Sequence, residues 1–414
     1  MRKTAGTYEN GHSENGLNSD GDSDLGYSKV DLRTLMPVMG LKEYWYPAVF
    51  AKDVGKKPVL LRLLDKEVCL FRGKAKNVVA IENACVHRGG MLHMGDCWWP
   101  GTISCFYHGW TYDETGEVVA VLSEGPDCQI PGQVKTKVYP TRTLHGVVFI
   151  WMGDQEPVPI EEDVPPQFLD EKALVLGTMT YWEGCNWRQA LENINDSHVQ
   201  YLHRNSLRML KYPTSMMGTG APRPSVINGR ALTNGRPPVA VDKEPYKHYF
   251  PELGERWPRS RWRLAWTWLF ALIEKRTPKQ PLKITDREWE TTHLPGMLNG
   301  LRRGYIYTRM VIPVGADRTR LFYFHSTKPS SRLGRLYEKL MFYGYRNWIH
   351  NYNFSDQDGK ANTYLYYDRP EYLSATDSTT PIAWRRLVLR ARGVEPDNAA
   401  SETINEPASL EMRV

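Results

Sequence analysis

The sequence predicts an α+β fold: a compact all-β unit, then a larger unit of antiparallel sheet and helices. Three observations point there. From about residue 46 to 153, short β-type runs alternate with Gly, Asp, Lys and Asn turns. A Pro- and acid-rich connector, DQEPVPIEEDVPPQFLD, follows at 154–170. After residue 171, strand-like runs mix with helical spacings, the mark of a sheet with segregated helices.

The elements follow in order. Residues 1–27 are rich in Gly, Ser, Asn and Asp and lack apolar periodicity, so they read as a disordered tail. Residues 28–45 read as a short N-terminal helix packing on the larger unit and leading into WYPAVF. The β unit is placed at 46–155, on PVLLRLL, VCLFR, NVVAIEN, TISCFYHGWTYD, EVVAVL and GVVFIWMG. The larger unit is placed at 156–414. It opens with CNWRQALENINDSHVQYLHRNS, where Trp187, Leu191 and Ile194 keep helical spacing. Strand-like runs follow at RWRLAWTWLFALI, GYIYTRMVIPV and RTRLFYFHSTK, and a long amphipathic helix is expected over 332–352. No internal repeat is seen.

Composition narrows the function classes. At 414 residues the chain suggests two domains, or one large fold with an insertion. With 41% hydrophobic and 24% charged residues it reads as globular, and its 14 Trp and 23 Tyr suit an apolar cavity or a large core. The net charge of +6 is mild. The densest basic stretch, RWPRSRWR at 256–263, reads as a solvated edge or docking surface, so no nucleic-acid partner is expected. No signal peptide and no apolar run of about 18 residues is seen, so the expectation is a cytoplasmic protein without a membrane span. In such a reducing compartment the six cysteines read as metal ligands or buried thiols rather than disulfides.

The chemistry concentrates in CVHRGGMLHMGDCWWPGTISCFYHGW, residues 85–110. Cys85-x-His87 is followed, 17 residues later, by Cys105-x-x-His108. Zinc fingers place cysteines together and histidines together. Here each Cys is paired with a His on a separate loop, so both thiolates can hold one iron and both imidazoles the other. That is the Rieske [2Fe–2S] arrangement. Gly89, Gly90 and Gly109 allow close backbone approach, and His93 and Cys97, between the loops, read as structural.

This stretch resembles the Rieske domain of bacterial Rieske non-haem iron aromatic-ring oxygenases. Within that family, EYWYPAVFAKDV, PPQFLD, NWRQALEN and IAWRRL look most like terminal oxygenase components of the carbazole 1,9a-dioxygenase and 2-oxoquinoline 8-monooxygenase group. The resemblance implies an all-β Rieske domain, a helix-grip-like catalytic domain and a mononuclear Fe(II) site with open positions for O₂.

His198 and His203 are the candidate imidazole ligands of that second site. They lie five residues apart, about 140° around an ideal helix, so a π-like turn would be needed to bring them together. The family pattern of an Asp four residues after a Phe selects Asp358 as third ligand, with Asp356 as the alternative. The family's bridging acid normally stands three residues before the first His. Asn195 occupies that position here, and Asp196 stands two before His198. Asp196 is taken as the bridge, with Asn195 as a neutral link the alternative. The same segment offers Asn193, Val199 and Leu202 towards the pocket, and Phe342, Tyr343 and Trp348 are further candidates. The Met-containing loop at 207–220 fits a mobile lid over an apolar channel and equally an ordinary surface loop.

The resemblance implies a terminal oxygenase acting on an aromatic or polycyclic small molecule with O₂, as a homotrimer. Electrons would come ultimately from NAD(P)H through a separate ferredoxin and/or reductase, since no G-x-G-x-x-G fingerprint is present. Dioxygenation leads. Monohydroxylation or demethylation of a polycyclic substrate is the alternative. An electron-transfer Rieske protein without oxygenase activity and a hydrophobe-binding module are the competing classes.

Overall fold

The computed structural model describes residues 31–194, 202–203, 224–234, 269, 272, 289, 291–302, 304–372 and 379–394. The α+β expectation holds: antiparallel sheets dominate and a few helices flank them.

The β-type runs of the first half build three small sheets. Strand Trp45–Phe50 pairs with Val147–Trp151, which pairs with Thr141–Leu144. A four-stranded sheet runs Val59–Leu63, Lys66–Arg72, Val78–Glu82, Val138–Tyr139. A three-stranded sheet holds Ile103–Ser104, Trp110–Tyr112 and Val118–Val121.

The four-stranded sheet explains how one short sequence serves two cores. Side chains alternate faces along a strand. Val68 and Leu70 enter the main core, as do Val78 and Ala80. Their neighbours Cys69, Phe71, Val79 and Ile81 point the other way, into a separate small core with Cys85, Cys105, Trp110 and Tyr112. These strands therefore read as near-continuous apolar runs, being covered on both faces.

The second half is built on a seven-stranded antiparallel sheet. Six of its strands follow in chain order, Pro224–Ile227, Ala231–Asn234, Thr292–His293, Met297–Arg302, Tyr305–Gly315 and Arg318–Thr327. Strand Leu174–Glu183 closes onto the last of them. The two faces differ in chemistry. Phe322 and Phe324 pack edge-to-face with Phe50, and Phe324 with Phe168, joining this sheet to the first half through the main core. The opposite face carries Tyr305, Tyr307, Arg309, Tyr323 and His325, because 307 opposes 325 and 309 opposes 323 in register. The C-terminal helical segments cover that face. Tyr323 Oη donates to Ser355 Oγ (2.9 Å), and Tyr305 Oη meets His350 Nε2 at 2.6 Å.

The connector at 154–170 is packed down rather than free. Ile160, Val164 and Phe168 enter the main core. Buried Asp163 accepts from Trp45 N–H (3.0 Å), and Arg392 donates to both its oxygens (2.7 and 2.8 Å). Burial pushes the Asp163 carboxyl up, and the adjacent Arg392 opposes that shift.

Several expectations are corrected. The N-terminal helix covers only Leu32–Leu35, capped by Asp31. Met36 is forced extended ahead of Pro37, and Gly40 turns the chain at φ +98°. The short helix still packs against the larger half: Arg33 donates to the carbonyls of Tyr367 and Arg369. The expected 332–352 helix is α-helical over Arg332–Met341 and then widens into π turns at Phe342–Arg346 and Trp348–Tyr352. Phe342, Tyr345, Arg346, Ile349 and His350 are buried along these turns. Its first part turns Leu333, Leu336 and Leu340 outward. Within RWRLAWTWLFALI, expected as a strand, Leu269 and Leu272 are helical. Asn195, Asp196, His198, Val199 and the loop at 207–220 lie outside the described residues.

Candidate functional sites

The two Cys-His segments fold into the same loop twice. In the first, Cys85 N–H donates to Gly90 O (2.8 Å) and Gly89 N–H to Cys85 O (2.8 Å). In the second, Cys105 N–H donates to Trp110 O (2.8 Å) and Gly109 N–H to Cys105 O (3.1 Å). The glycine four residues after each Cys has a positive φ, +72° at Gly89 and +68° at Gly109, a region that disfavours a Cβ. Gly109 has a second constraint, since a Cβ there would stand 2.7 Å from Leu122.

These loops separate the ligand types. Both cysteines are buried in the small core. A Cβ at Gly90 would lie 3.1 Å from Cys105 Sγ and 3.8 Å from Cys85 Cβ, so this glycine keeps space open between the thiols. Tyr112 Oη donates to Cys85 Sγ at 3.1 Å and accepts from Val86 N–H at 3.0 Å. The histidines sit at the outer tip. The His87 and His108 rings are 4.7 Å apart at 73°, and His87 stacks on Trp110 at 4.9 Å. Burial, then the neighbouring Cys85 thiol, push the Cys105 thiol up, so a metal must displace its proton.

Thiols pair with each other at depth and imidazoles pair at the tip. Among the described residues, no three His, Cys, Asp or Glu side chains converge on a single ion. The donor set therefore fits a group with two metal centres, sulfur-ligated inside and nitrogen-ligated outside. His93 is held by Asn83, whose Oδ1 lies 3.0 Å from its Nδ1 and accepts from its backbone N–H at 2.9 Å, in accord with a structural role.

The second constellation is deep in the larger half. His203 is fully buried, its Nε2 lies 3.0 Å from Asp358 Oδ1, and its ring stacks on Phe354 at 3.6 Å. His203 Nδ1 is 3.1 Å from Gln357 Oε1. A ring nitrogen and a carboxylate oxygen 3.0 Å apart in a buried spot can share a proton or flank a cation. The arrangement suits two ligands of a metal site.

Asp358 is supported further. Asn193 Nδ2 approaches its Oδ1 at 3.5 Å, Arg309 Nη1 lies 3.9 Å from its Oδ2, and Arg309 Nη2 donates to Asn193 Oδ1 (3.2 Å). Arg309 also lies over the Trp182 ring at 4.7 Å. Asp356 is placed differently: it is exposed and pairs with Lys360 one turn along (2.7 Å). Asp358→Asn is therefore expected to lower bound iron and turnover together, while Asp356→Asn leaves both near wild type. Iron content and oxygen uptake measured on the two proteins would check this, and equal loss in both would refute it.

Of the other expected site residues, Leu202 is helical and half-buried beside His203. Phe342 is buried, but Tyr343 and Trp348 face outward, 61% and 46% exposed, off the stripe that holds Phe342, Tyr345 and Ile349. Sequence reading missed Arg309, Gln357 and the Tyr305–His350 pair. Arg309 did leave a signal, as a lone cation inside the apolar run GYIYTRMVIPV.

The family model for the Rieske [2Fe-2S] domain matches residues 44–140, and that for the homotrimeric ring hydroxylase matches 151–225. One stretch of this chain is thus similar to a Rieske domain and the next to part of a ring-hydroxylase domain. The terminal oxygenase component of carbazole 1,9a-dioxygenase from Sphingomonas sp. is 38% identical over 172 residues, 41% of this chain and 45% of the relative. The corresponding Metapseudomonas resinovorans component is 36% identical over 173 residues, 41% and 44% of the two chains. The phthalate 4,5-dioxygenase oxygenase subunit of Pseudomonas putida is 30% identical over 209 residues, 50% of this chain and 46% of that one. The chain thus spans a little under half the length of the curated relatives it matches. Among solved structures, the terminal oxygenase of carbazole 1,9a-dioxygenase from Novosphingobium sp. KA1 superimposes with TM-score 0.66 at 25% identity, over 87% of this chain and 96% of that one. The Rieske domain carries the twin loops, and the ring-hydroxylase match includes His203 and Asn193. No helix of the described residues is long and apolar enough to cross a membrane.

Proposed function

We propose that this chain is the terminal oxygenase of a Rieske system, inserting oxygen from O₂ into an aromatic or polycyclic small molecule. The observation that carries the reading is the coexistence of the twin Cys-His loops with the buried His203–Asp358 pair. An electron-transfer protein needs the first and has no use for the second. When bound, a [2Fe–2S] cluster would relay single electrons and a mononuclear Fe(II) would supply open positions for O₂.

Cys85, Cys105, His87 and His108 would hold the cluster, and His198, His203 and Asp358 the single iron. The surrounding side chains then have defined work. Gln357 holds His203 at its Nδ1, and Phe354 fixes its ring plane. Arg309 sets a positive charge 3.9 Å from Asp358 Oδ2 within a buried site. Asn193 ties Arg309 and Asp358 together and closes the site behind the ligands. At the other end, exposed Phe106 and Tyr107 flank His108 and give a ferredoxin or reductase drawing on NAD(P)H an apolar surface to meet. The outward Leu333, Leu336 and Leu340 offer a packing face for subunits of a homotrimer. Asp196, with Asn195 as the neutral alternative, would link the two metal centres between neighbouring subunits.

Dioxygenation consumes two electrons and two protons and leaves both oxygen atoms in one product. Monooxygenation leaves one oxygen in product and one in water. Product analysis under ¹⁸O₂, with a surrogate ferredoxin and reductase, separates these outcomes. Two labelled oxygens in one product are expected. A single label would establish hydroxylation or demethylation instead, and electron consumption with no labelled product from any ring substrate would overturn the oxygenase reading.

A further inference from the structure

Beyond Tyr323, the covered face of the seven-stranded sheet turns cationic. Arg346, on the first π turn, is 1% exposed. Its Nη1 reaches Glu338 at 2.6 Å, and its guanidinium lies 4.6 Å from the centre of the Tyr305 ring. Its Nε and Nη2 are buried with no hydrogen-bond partner. Those two atoms form the side edge of the guanidinium, the edge that grips a carboxylate through two parallel N–H bonds. A buried edge of this kind left open points to a ligand that closes it.

A second cation stands nearby. Arg302 opposes Tyr305 in register, and its guanidinium lies 5.8 Å from the Tyr307 ring centre. Its Nε is also buried without a partner, and it makes no ion pair among the described residues. Glu338 balances Arg346, so Arg302 leaves one positive charge uncompensated beside the cluster. Gly300 opposes Tyr307, and a Cβ built on it would touch the Arg302 guanidinium, Nη1 at 3.6 Å, so the absence of a side chain there leaves Arg302 its place over this face. The Tyr305–His350 hydrogen bond and the His325 ring, stacked on Tyr305 at 4.4 Å, fix the cluster between the two arginines. Tyr307 and Tyr323, 6.4 Å apart, connect it to the Asp358 end of the same face.

We infer that the substrate of this site is an aromatic carboxylate, its anionic group seated on the Nε/Nη2 edge of Arg346 with Arg302 balancing the charge. This rests on the oxygenase reading for the reaction, though not for the anion seat itself.

The test is isothermal titration of the metal-loaded protein with benzoate, naphthalene-2-carboxylate and biphenyl-4-carboxylate, each beside its primary amide. The amide keeps the ring and removes the charge. At least one acid is expected to bind about tenfold or more tighter than its amide, because a site built for a group rejects the analogue lacking it. Arg346→Gln should erase that preference, Arg346→Lys should keep part of it and Arg302→Gln should weaken it. Circular dichroism and an unchanged Rieske absorbance would show that the variants fold. Equal binding of acid and amide, no binding of any acid, or a preference surviving in folded Arg346→Gln would each overturn the inference. An acid preference in a protein that binds no mononuclear iron would uphold the anion seat and overturn the oxygenase reading instead.

Discussion

His203→Ala is expected to remove about one iron in three from each chain and to abolish oxygen incorporation, while the Rieske absorbance stays unchanged. The geometry explains why the loss should be confined. His203 is completely buried, and its contacts among the described residues include Gln357, Phe354 and Asp358, none of which belongs to the small core around Cys85 and Cys105. Removing the ring deletes one metal ligand and opens a void beside Phe354. Truncating a buried ring costs stability on the order of 3–5 kcal/mol at most, and Arg309 still compensates the Asp358 carboxylate. The folded protein should therefore survive with a filled cluster and an empty second site. Iron analysis alongside the visible spectrum checks the first half, and labelled-oxygen incorporation checks the second. Turnover persisting in a protein with only cluster iron would sink the mononuclear assignment.

The two sites differ in how far the sequence alone reveals them. The twin loops are local: Cys85 to Gly90 and Cys105 to Trp110 close through bonds four and five residues apart, so a spacing rule captures them. The strands are legible for a similar reason, since runs such as VCLFR and GYIYTRMVIPV stay apolar where both faces are covered. What spacing cannot show is which face does what. Phe322 and Phe324 alternate with Tyr323 and His325, and only the register against Tyr305–Gly315 sorts packing from chemistry. The His203–Asp358 contact joins residues 155 positions apart, and Asp358 was chosen over Asp356 by a family pattern rather than by physics. Arg309 and Arg346 were passed over because a single arginine in an apolar stretch gives no periodic signal. The π turns escape for another reason: Phe342, Tyr345, Arg346, Ile349 and His350 are buried at the spacing an α-helix would also give, so apolar periodicity does not distinguish the two.

Cys105→Ser is expected to eliminate the cluster altogether, with loss of visible absorbance, of bound sulfide and of all ferredoxin-dependent turnover. Cys69→Ser provides the contrast. Both thiols belong to the same small core, and Cys69 is the more deeply buried, at 0% exposure against 5%. They differ in what they face. Cys69 lies inside strand Lys66–Arg72, opposite Ile81, where burial pushes its thiol far up and keeps it an inert apolar group. Cys105 starts a loop held open by Gly90 and Gly109, beside the second thiol and below the paired imidazoles. Serine at residue 69 places a hydroxyl among apolar neighbours, a stability loss of about 1–3 kcal/mol visible in a denaturant melt, and should leave the cluster intact. Serine at residue 105 replaces a soft thiolate by a hard, weakly acidic oxygen, so the sulfur-ligated centre loses a ligand. Cys97 and Cys128 are half-buried at the edge of this core, outside the twin loops, and Cys128 donates to Glu124 Oε2 (3.1 Å). If Cys69→Ser bleached the cluster as completely as Cys105→Ser, the depth of a thiol in the core rather than its place in the twin loops would decide ligation, and the two-plus-two assignment would have to be abandoned.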